Sequence, residues 1–445
     1  MDFAAQTPVA AVAAQTLGLK LVLVIIGTVG TVIVSRVLGP EGRGIYYTPI
    51  VAAATVITFA KLGVEQANVY LYGSRKISAD RLAAQSAVVT LLAGGAGMLV
   101  MLALPALLPS VFSDVAPILV LLCALTIPLS LHTQFVAGLQ NLIGQVTLQF
   151  RAAIVAGVMQ IIVLGILALA RAVTVASVLI TNLVGALIAW IWTLRTSEVH
   201  PWTVRFDVTL LRETVGQSLV LHIGLVLFFL HLRVDTFMVK AIVGAEALGI
   251  YSLAVVLAET LLLATDSVSI ALLPRQMTNS LAESGRLALR AARINAYFAL
   301  FFGAGLVAIG WIAIPLLFGV AFADAYPALV ALVPGIIFIS MQRVCGPPVI
   351  RSGRPWGIAA ISGASLTLNI ILNLVWIPLL GPVGASVSSS VSYAIAAVSY
   401  LAWTSQIAGS AATLLPSRSD GALITHALTS VYTVMRRQRT QAPNA

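Results

Sequence analysis

Apolar runs of about twenty residues with few charges recur along this whole chain, and no other feature limits its folding so tightly. One of them, LGLKLVLVIIGTVGTVIV from Leu17 to Val34, carries a single charge. In a bilayer core every backbone N–H and C=O must find its partner inside the protein, so runs of this length become membrane-crossing helices. Composition agrees: 9% of the 445 residues are charged and 60% are apolar, against roughly 25% charged in soluble domains. The run at Leu17 has no small-residue cleavage site with a mature domain behind it. It therefore reads as a first span and not as a signal peptide.

Twelve spans fit, near 17–38, 45–67, 83–107, 115–137, 149–170, 173–194, 216–243, 248–273, 293–319, 327–346, 356–378 and 384–407. The expected class is an all-α polytopic membrane protein with two six-helix lobes, 1–195 and 215–408, joined by a linker over 196–214. A polar tail over 409–445 holds room for a short surface helix at 421–435. Seventeen Lys and Arg residues fall in the even-numbered connections and the tail. Four (Arg36, Arg43, Arg171, Lys240) fall in the odd-numbered ones and four more within spans, which completes the 25 of the chain. That asymmetry places both termini in the cytoplasm of a bacterial inner membrane. The net charge of +10 then needs no nucleic-acid partner. Cys123 and Cys345 offer no metal spacing and read as small buried hydrophobes.

The segment RVLGPEGRGIY, Arg36 to Tyr46, is echoed by IVGAEALGIY, Ile242 to Tyr251. Gly39/Gly244, Glu41/Glu246, Gly44/Gly249, Ile45/Ile250 and Tyr46/Tyr251 all pair at a separation of 205. With twelve spans, the motif occupies the loop after span one and the loop after span seven. Equivalent loops on halves of equal orientation mark a parallel repeat about an axis along the membrane normal, an architecture that puts substrate between the halves.

These loops, Pro274 at the expected end of span eight, and NIILNLVWIPLLGPVGAS from Asn369 to Ser386 resemble the polysaccharide flippase branch of the multidrug/oligosaccharidyl-lipid/polysaccharide exporter superfamily. The resemblance spans about residues 15–405. It implies a V-shaped pair of lobes around a cavity that opens alternately to each side. It also implies a lipid-linked saccharide on polyprenyl pyrophosphate as cargo, moved from the inner to the outer leaflet. Twelve spans fit the O-antigen and capsule type better than the fourteen-span lipid II type. Membrane lipid and other polysaccharide assembly proteins are the implied partners, with no cofactor and no metal.

Charges inside spans are costly and mark function by default. Span seven, SLVLHIGLVLFFLHLRVDTFMV, holds the most. His222 and Arg233 lie eleven apart, about 20° round a helix, and share a face; His231 and Asp235 share another at i, i+4. Arg233 and Asp235 diverge, so Arg233 needs a substrate phosphate or an acid from span eight, where Glu259 and Asp266 share one face. Those acids are counter-charges for Arg233, a proton- or cation-coupling site, or one structural acid and one near the inner interface. Lys20, Lys61 and Arg343 stand toward the cytoplasmic ends, either snorkelling to headgroups or forming a basic mouth for pyrophosphate. Lys61 can also neutralise itself on Glu65 at i, i+4. Asn369 and Asn373 stack on one face of span eleven, as interhelical hydrogen bonders or cavity lining. Gln134, His132, Gln140 and Asn141 are further candidates for the cavity. Pro315, Pro334 and Pro347-Pro348 read as kinks or helix ends.

A proton- or sodium-coupled exporter of small organic cations, from the multidrug branch, is the alternative function. Its site should be acidic and aromatic, whereas the in-span charges here are balanced. An enzyme is disfavoured: the five histidines form no metal spacing, there is no nucleophile elbow, and the outward loops are short. A P-loop is also absent from the sequence.

Overall fold

The computed structural model describes residues 7–75, 77–200 and 207–411, apart from the side chains of 7–14, 17, 74–75, 217, 264–271 and 273–274. Among these residues all regular secondary structure is helical. The helices are α1 (Thr7–Ala60), α2 (Val64–Arg75), α3 (Ala79–Leu107), α4 (Pro109–Phe112), α5 (Pro117–Leu142), α6 (Val146–Leu169), α7 (Val175–Thr196), α8 (Val208–Ile242), α9 (Ala245–Thr278), α10 (Leu281–Phe318), α11 (Ala325–Arg351), α12 (Pro355–Leu380) and α13 (Pro382–Ala408). Eleven are long and apolar enough to cross a membrane. The 54 residues of α1 would reach about 80 Å at ~1.5 Å per residue, far more than a ~30 Å hydrocarbon core. The helix breaks at Gly39, with φ 67° and ψ −176°, so its two arms make two crossings and the eleven become twelve.

Gly244 adopts nearly the same backbone, φ 112° and ψ −173°. Positive φ with extended ψ is open to glycine and strained for other residues, which explains why both copies of the motif keep this residue.

Several expectations are corrected. Helix α9 does not end at Pro274 but runs to Thr278, and Pro315, Pro334, Pro347 and Pro348 all lie inside helices, which excludes helix ends there and leaves the reading as kinks. Neighbouring helices re-satisfy the carbonyls that proline frees, so a bilayer protein tolerates it within a span. The connector between the halves is shorter than expected, because α8 already starts at Val208. Asp207 caps it, its Oδ1 accepting from the N–H groups of Thr209 and Leu210. The second crossing carries an unforeseen break at residues 61–63, where Leu62 and Gly63 have φ of 49° and 74°. A Cβ on Gly63 would lie 2.7 Å from the Ser218 hydroxyl, so the break is where α8 presses close. The tail segment 421–435 lies outside the described residues.

Packing repeats between the halves. The N-terminal arm of α1 lies on α6 as α8 lies on α12; α5 joins α3 and α7 as α11 joins α10 and α13. The halves meet where the motif is duplicated. A Cβ on Gly44 would stand 1.8 Å from the Ala245 carbonyl oxygen, and one on Gly249 would stand 1.8 Å from the Pro40 carbonyl oxygen. Pro40 and Ala245 are themselves equivalent at the 205-residue spacing, so the two contacts are one contact seen from both sides of a pseudo-twofold. The repeated loop is therefore the seam between the lobes at the Gly39 face, and the paired glycines Gly44 and Gly249 permit the closest backbone approach there.

Large apolar side chains that stay exposed, including Leu91, Leu169, Phe301 and Leu379, form the lipid-facing surface. Cys123 and Cys345 are buried.

Candidate functional site

Helices α8 and α9 set the charges between the lobes. Arg233 and Glu259 approach at 2.8 Å (Nη1 to Oε1), and Nη2 donates to Oε2 at 3.0 Å. The first approach is not aligned as a hydrogen bond, and Nη1 is left without an acceptor. Their side chains keep 20% and 29% exposure, so the pair is partly open. Tyr47, from the other half, and Tyr393 stand beside it. By helical rise Arg233 lies about 14 Å from the Gly244 turn, which is mid-membrane. Of the two partners that the sequence left open for Arg233, the acid on span eight is engaged. The Asp266 side chain lies outside the described residues.

Behind Arg233, on the opposite side of α8, sits a sealed polar layer. The Asp235 carboxylate accepts from Tyr251 Oη at 2.6 Å, Ser389 Oγ at 2.8 Å and the Thr236 N–H at 2.6 Å. Asn373 Nδ2 donates to Asn369 Oδ1 at 2.8 Å, and Asn369 Nδ2 donates to Ser392 Oγ at 3.1 Å. Ser392 gives its proton to the Ser389 carbonyl, so His231 Nε2, 2.9 Å away, is the donor to Ser392 Oγ. Asp235, His231, Asn369 and Asn373 are all buried, so they tie α8 and α9 to α12 and α13 and do not form an open wall. A cavity of about 10 Å³ adjoins Asp235, Glu259 and Tyr393, room for about one water.

The other sequence candidates lie nearer the arginine-rich face. Lys61 pairs with Glu65 at 3.1 Å, Lys20 lies 5.8 Å from the Phe150 ring centre, and Arg343 is half-buried on α11. His222 Nε2 lies 3.3 Å from the Phe59 carbonyl, beside the break in the second crossing. Measured along their helices, Lys20, Lys61, His222 and Arg343 stand ~27–33 Å from the Gly39 face, while Arg233 is about half as far. They form a layer at one end of the path, and Arg233 is deeper. His132 is buried edge-on to Trp190, with ring centres 6.3 Å apart. Gln140 is buried, and Asn141 accepts from Gln149.

Three links at the Gly39 face were not singled out from the sequence. Arg43, 3% exposed, donates from Nε to Ser252 Oγ and from Nη1 to Ser35 Oγ, both at 2.9 Å. Arg36 donates to the carbonyls of Leu316 and Leu317 at the end of α10. Lys240, at the end of α8, pairs with Asp114 between α4 and α5. The last two are near-symmetric: in each, a cation from the first helix of one half reaches the outer end of the other half. Conspicuous arginines in the sequence gave one available signal, but their partners are distant in the chain.

The sequence matches the family model described as polysaccharide biosynthesis protein over residues 13–277, more than half of its length. The chain belongs to this family. No curated protein matches it. Among solved structures it is similar to lipid II flippase MurJ in an inward closed conformation, with a TM-score of 0.69 and 15% identity over 97% of this chain and 94% of that one. It is similar also to a multidrug resistance MATE family transporter of the MOP superfamily. The inward-facing form gives a TM-score of 0.68 and 15% identity over 90% of this chain and 98% of that one. The outward-facing form gives 0.68 and 16% over 90% and 96%. At these identities the likeness is one of fold: this family member is a multi-pass membrane protein that shares the fold of those structures.

Proposed function

We propose that the protein is a flippase that carries a polyprenyl-pyrophosphate-linked oligosaccharide from the inner to the outer leaflet of the cytoplasmic membrane, for cell-surface polysaccharide synthesis. The observation that carries this reading is the half-open Arg233–Glu259 pair at mid-membrane between the lobes. An arginine fork suits a phosphate as well as a carboxylate. Both Nη atoms face Glu259 and the pair is only partly buried, so an arriving pyrophosphate can compete with Glu259 for the guanidinium. Family membership and the MurJ-like fold support the same substrate class.

In this account both termini and the arginine-rich face are cytoplasmic. Lys20, Lys61 and Arg343 collect the anionic headgroup at that mouth, and Arg233 holds it midway. The lobes then part at the seam of duplicated loops, where Arg36, Arg43 and Lys240 must release their partners. A cytoplasm-negative potential assists, by about 2.3 kcal/mol per charge per 100 mV. Asp235, Glu259 and Asp266 are the residues where a coupling cation would act; His231, Asn369 and Asn373 brace Asp235 through Ser389 and Ser392, and His222 lines the cytoplasmic end of the path.

The MATE-like fold keeps one second reading, a coupled exporter of small organic cations with Glu259 as cation partner. Purified protein in liposomes, given a fluorescent polyprenyl-pyrophosphoryl saccharide and, separately, a cationic dye, distinguishes the two. Movement of the lipid without the dye is expected; movement of the dye alone overturns the flippase reading.

A further inference from the structure

The turn between α9 and α10 carries a second cationic feature, remote from Arg233. Arg275, Arg286 and Arg290 line a cavity of about 240 Å³ together with Asn279, Glu283 and Leu287. Arg286 and Arg290 are an i, i+4 pair of like charge, which repels in an isolated helix. All three are exposed. Among the described residues no acid comes within ion-pair distance of any of them. Glu283 is turned to the backbone instead: its carboxylate accepts from the Ser280 N–H, while Ser280 Oγ caps the Glu283 N–H.

The turn is braced and not loose. Arg351 donates to the carbonyls of Gln276 and Asn279 at the end of α9, and Gln276 Nε2 donates to the Val344 carbonyl at 3.0 Å. Three guanidinium groups thus stand around a cavity on a braced turn, with the single carboxylate of Glu283 among them.

Depth identifies the occupant. Counting from Phe318 at the far end of α10, Arg290 and Arg286 lie ~42 and ~48 Å along the helix. A bilayer with its headgroups spans ~40–45 Å, so the cavity lies at headgroup level on the arginine-rich face. The exposed stripe continues inward from Arg286 and Arg290 to Tyr297 and Phe301, 42% and 74% exposed, which fall within about 60° of them around α10. Cations at the headgroup plane give way to aromatics at acyl-chain depth.

We infer that the α9–α10 turn is a binding site for a phosphate-bearing lipid, whose headgroup enters the Arg275–Arg286–Arg290 cavity and whose chain lies along Tyr297 and Phe301. The site is separate from the transport path and does not depend on what that path carries.

Native mass spectrometry of the purified full-length protein with added phosphatidylglycerol or phosphatidylcholine tests it. Phosphatidylglycerol should be retained in preference to phosphatidylcholine. Arg286→Gln with Arg290→Gln should weaken that retention by about fivefold per arginine, and Arg151→Gln with Arg212→Gln, exposed on the same face, should not. The wild-type protein supplies a second readout, since raising salt from 0.1 to 1 M shortens the screening length from ~10 to ~3 Å and should release the lipid. Undecaprenyl pyrophosphate as competitor separates the sources. Displacement at equal concentration makes the carrier lipid the occupant, and no displacement makes it bulk phospholipid; either result supports a phosphate-lipid site. Equal retention of both phospholipids, or unchanged retention by the double variant, overturns it, whatever the outcome of the flipping assay.

Discussion

Replacing Gly249 by alanine isolates the seam between the lobes. The added Cβ would stand 1.8 Å from the Pro40 carbonyl oxygen. Real Cβ atoms do not come within 3.0 Å of such a neighbour, so the backbones must part by at least 3.0 − 1.8 = 1.2 Å. Neither side can yield locally, because the obstacle is main chain. Gly249 has ordinary helical φ, and alanine there favours α9 itself by about 1 kcal/mol. The strain therefore falls on the closed seam and not on the folding of either half. Overpacking of this kind costs ~1–3 kcal/mol, a shift of about 5- to 150-fold toward the state with the seam open. Spin labels at positions 169 and 320, whose residues are 89% and 80% exposed on either side of the seam, report it as a longer distance population. Cys123 and Cys345 would first be replaced. Gly165→Ala, which meets nothing within 4 Å, is the control. An unchanged distance distribution in Gly249→Ala, at wild-type transport rate, would refute the seam as a moving contact. Gly44→Ala should behave in the same way, since its contact is the symmetric one.

Asp114→Asn should lower thermal stability more than the double change Asp114→Asn with Lys240→Met. The single variant strands a lysine that is 2% exposed, and an unpaired buried charge costs more than no charge; equal losses in a melting assay would contradict this. Arg43→Leu should keep or raise the melting temperature. Leu248 fills the equivalent place in the other half, and Arg43 has only hydroxyl partners; a fall of several degrees would show that those bonds outweigh desolvation. Tyr251→Phe removes one donor from Asp235 and should cost about 1 kcal/mol in a thermal or denaturant assay, with no loss if water replaces the hydroxyl.

The spans, their number and the duplicated loop were legible because length and charge alone decide what can cross a bilayer. So was the pairing of Asn369 with Asn373, since helical spacing stacks residues four apart. Which face of each helix meets protein was not legible. Lipid and protein core are equally apolar, so the usual amphipathic stripe is missing. For that reason the sequence left Arg233 with two possible partners and gave no hint that Lys240 meets Asp114. The break at residues 61–63 escaped as well. One glycine between Lys61 and Glu65 looks unremarkable until Ser218 and His222 of α8 are found against it. Loop position alone suggests that the glycines of the repeat are turn formers. Gly39 and Gly244 are that, but Gly44 and Gly249 serve the approach of one half to the other, which only the folded arrangement reveals.

In the proposed cycle Arg233 passes from Glu259 to the phosphate of the cargo. The most direct test is the initial rate of leaflet-to-leaflet movement of a fluorescent polyprenyl-pyrophosphoryl saccharide in liposomes, compared among wild type, Arg233→Ala and Glu259→Gln. Arg233→Ala should abolish movement in a correctly inserted protein, and Glu259→Gln, which leaves the guanidinium free for phosphate, should retain it. Normal movement by Arg233→Ala, or equal loss in both variants, would mean that the pair only braces α8 against α9.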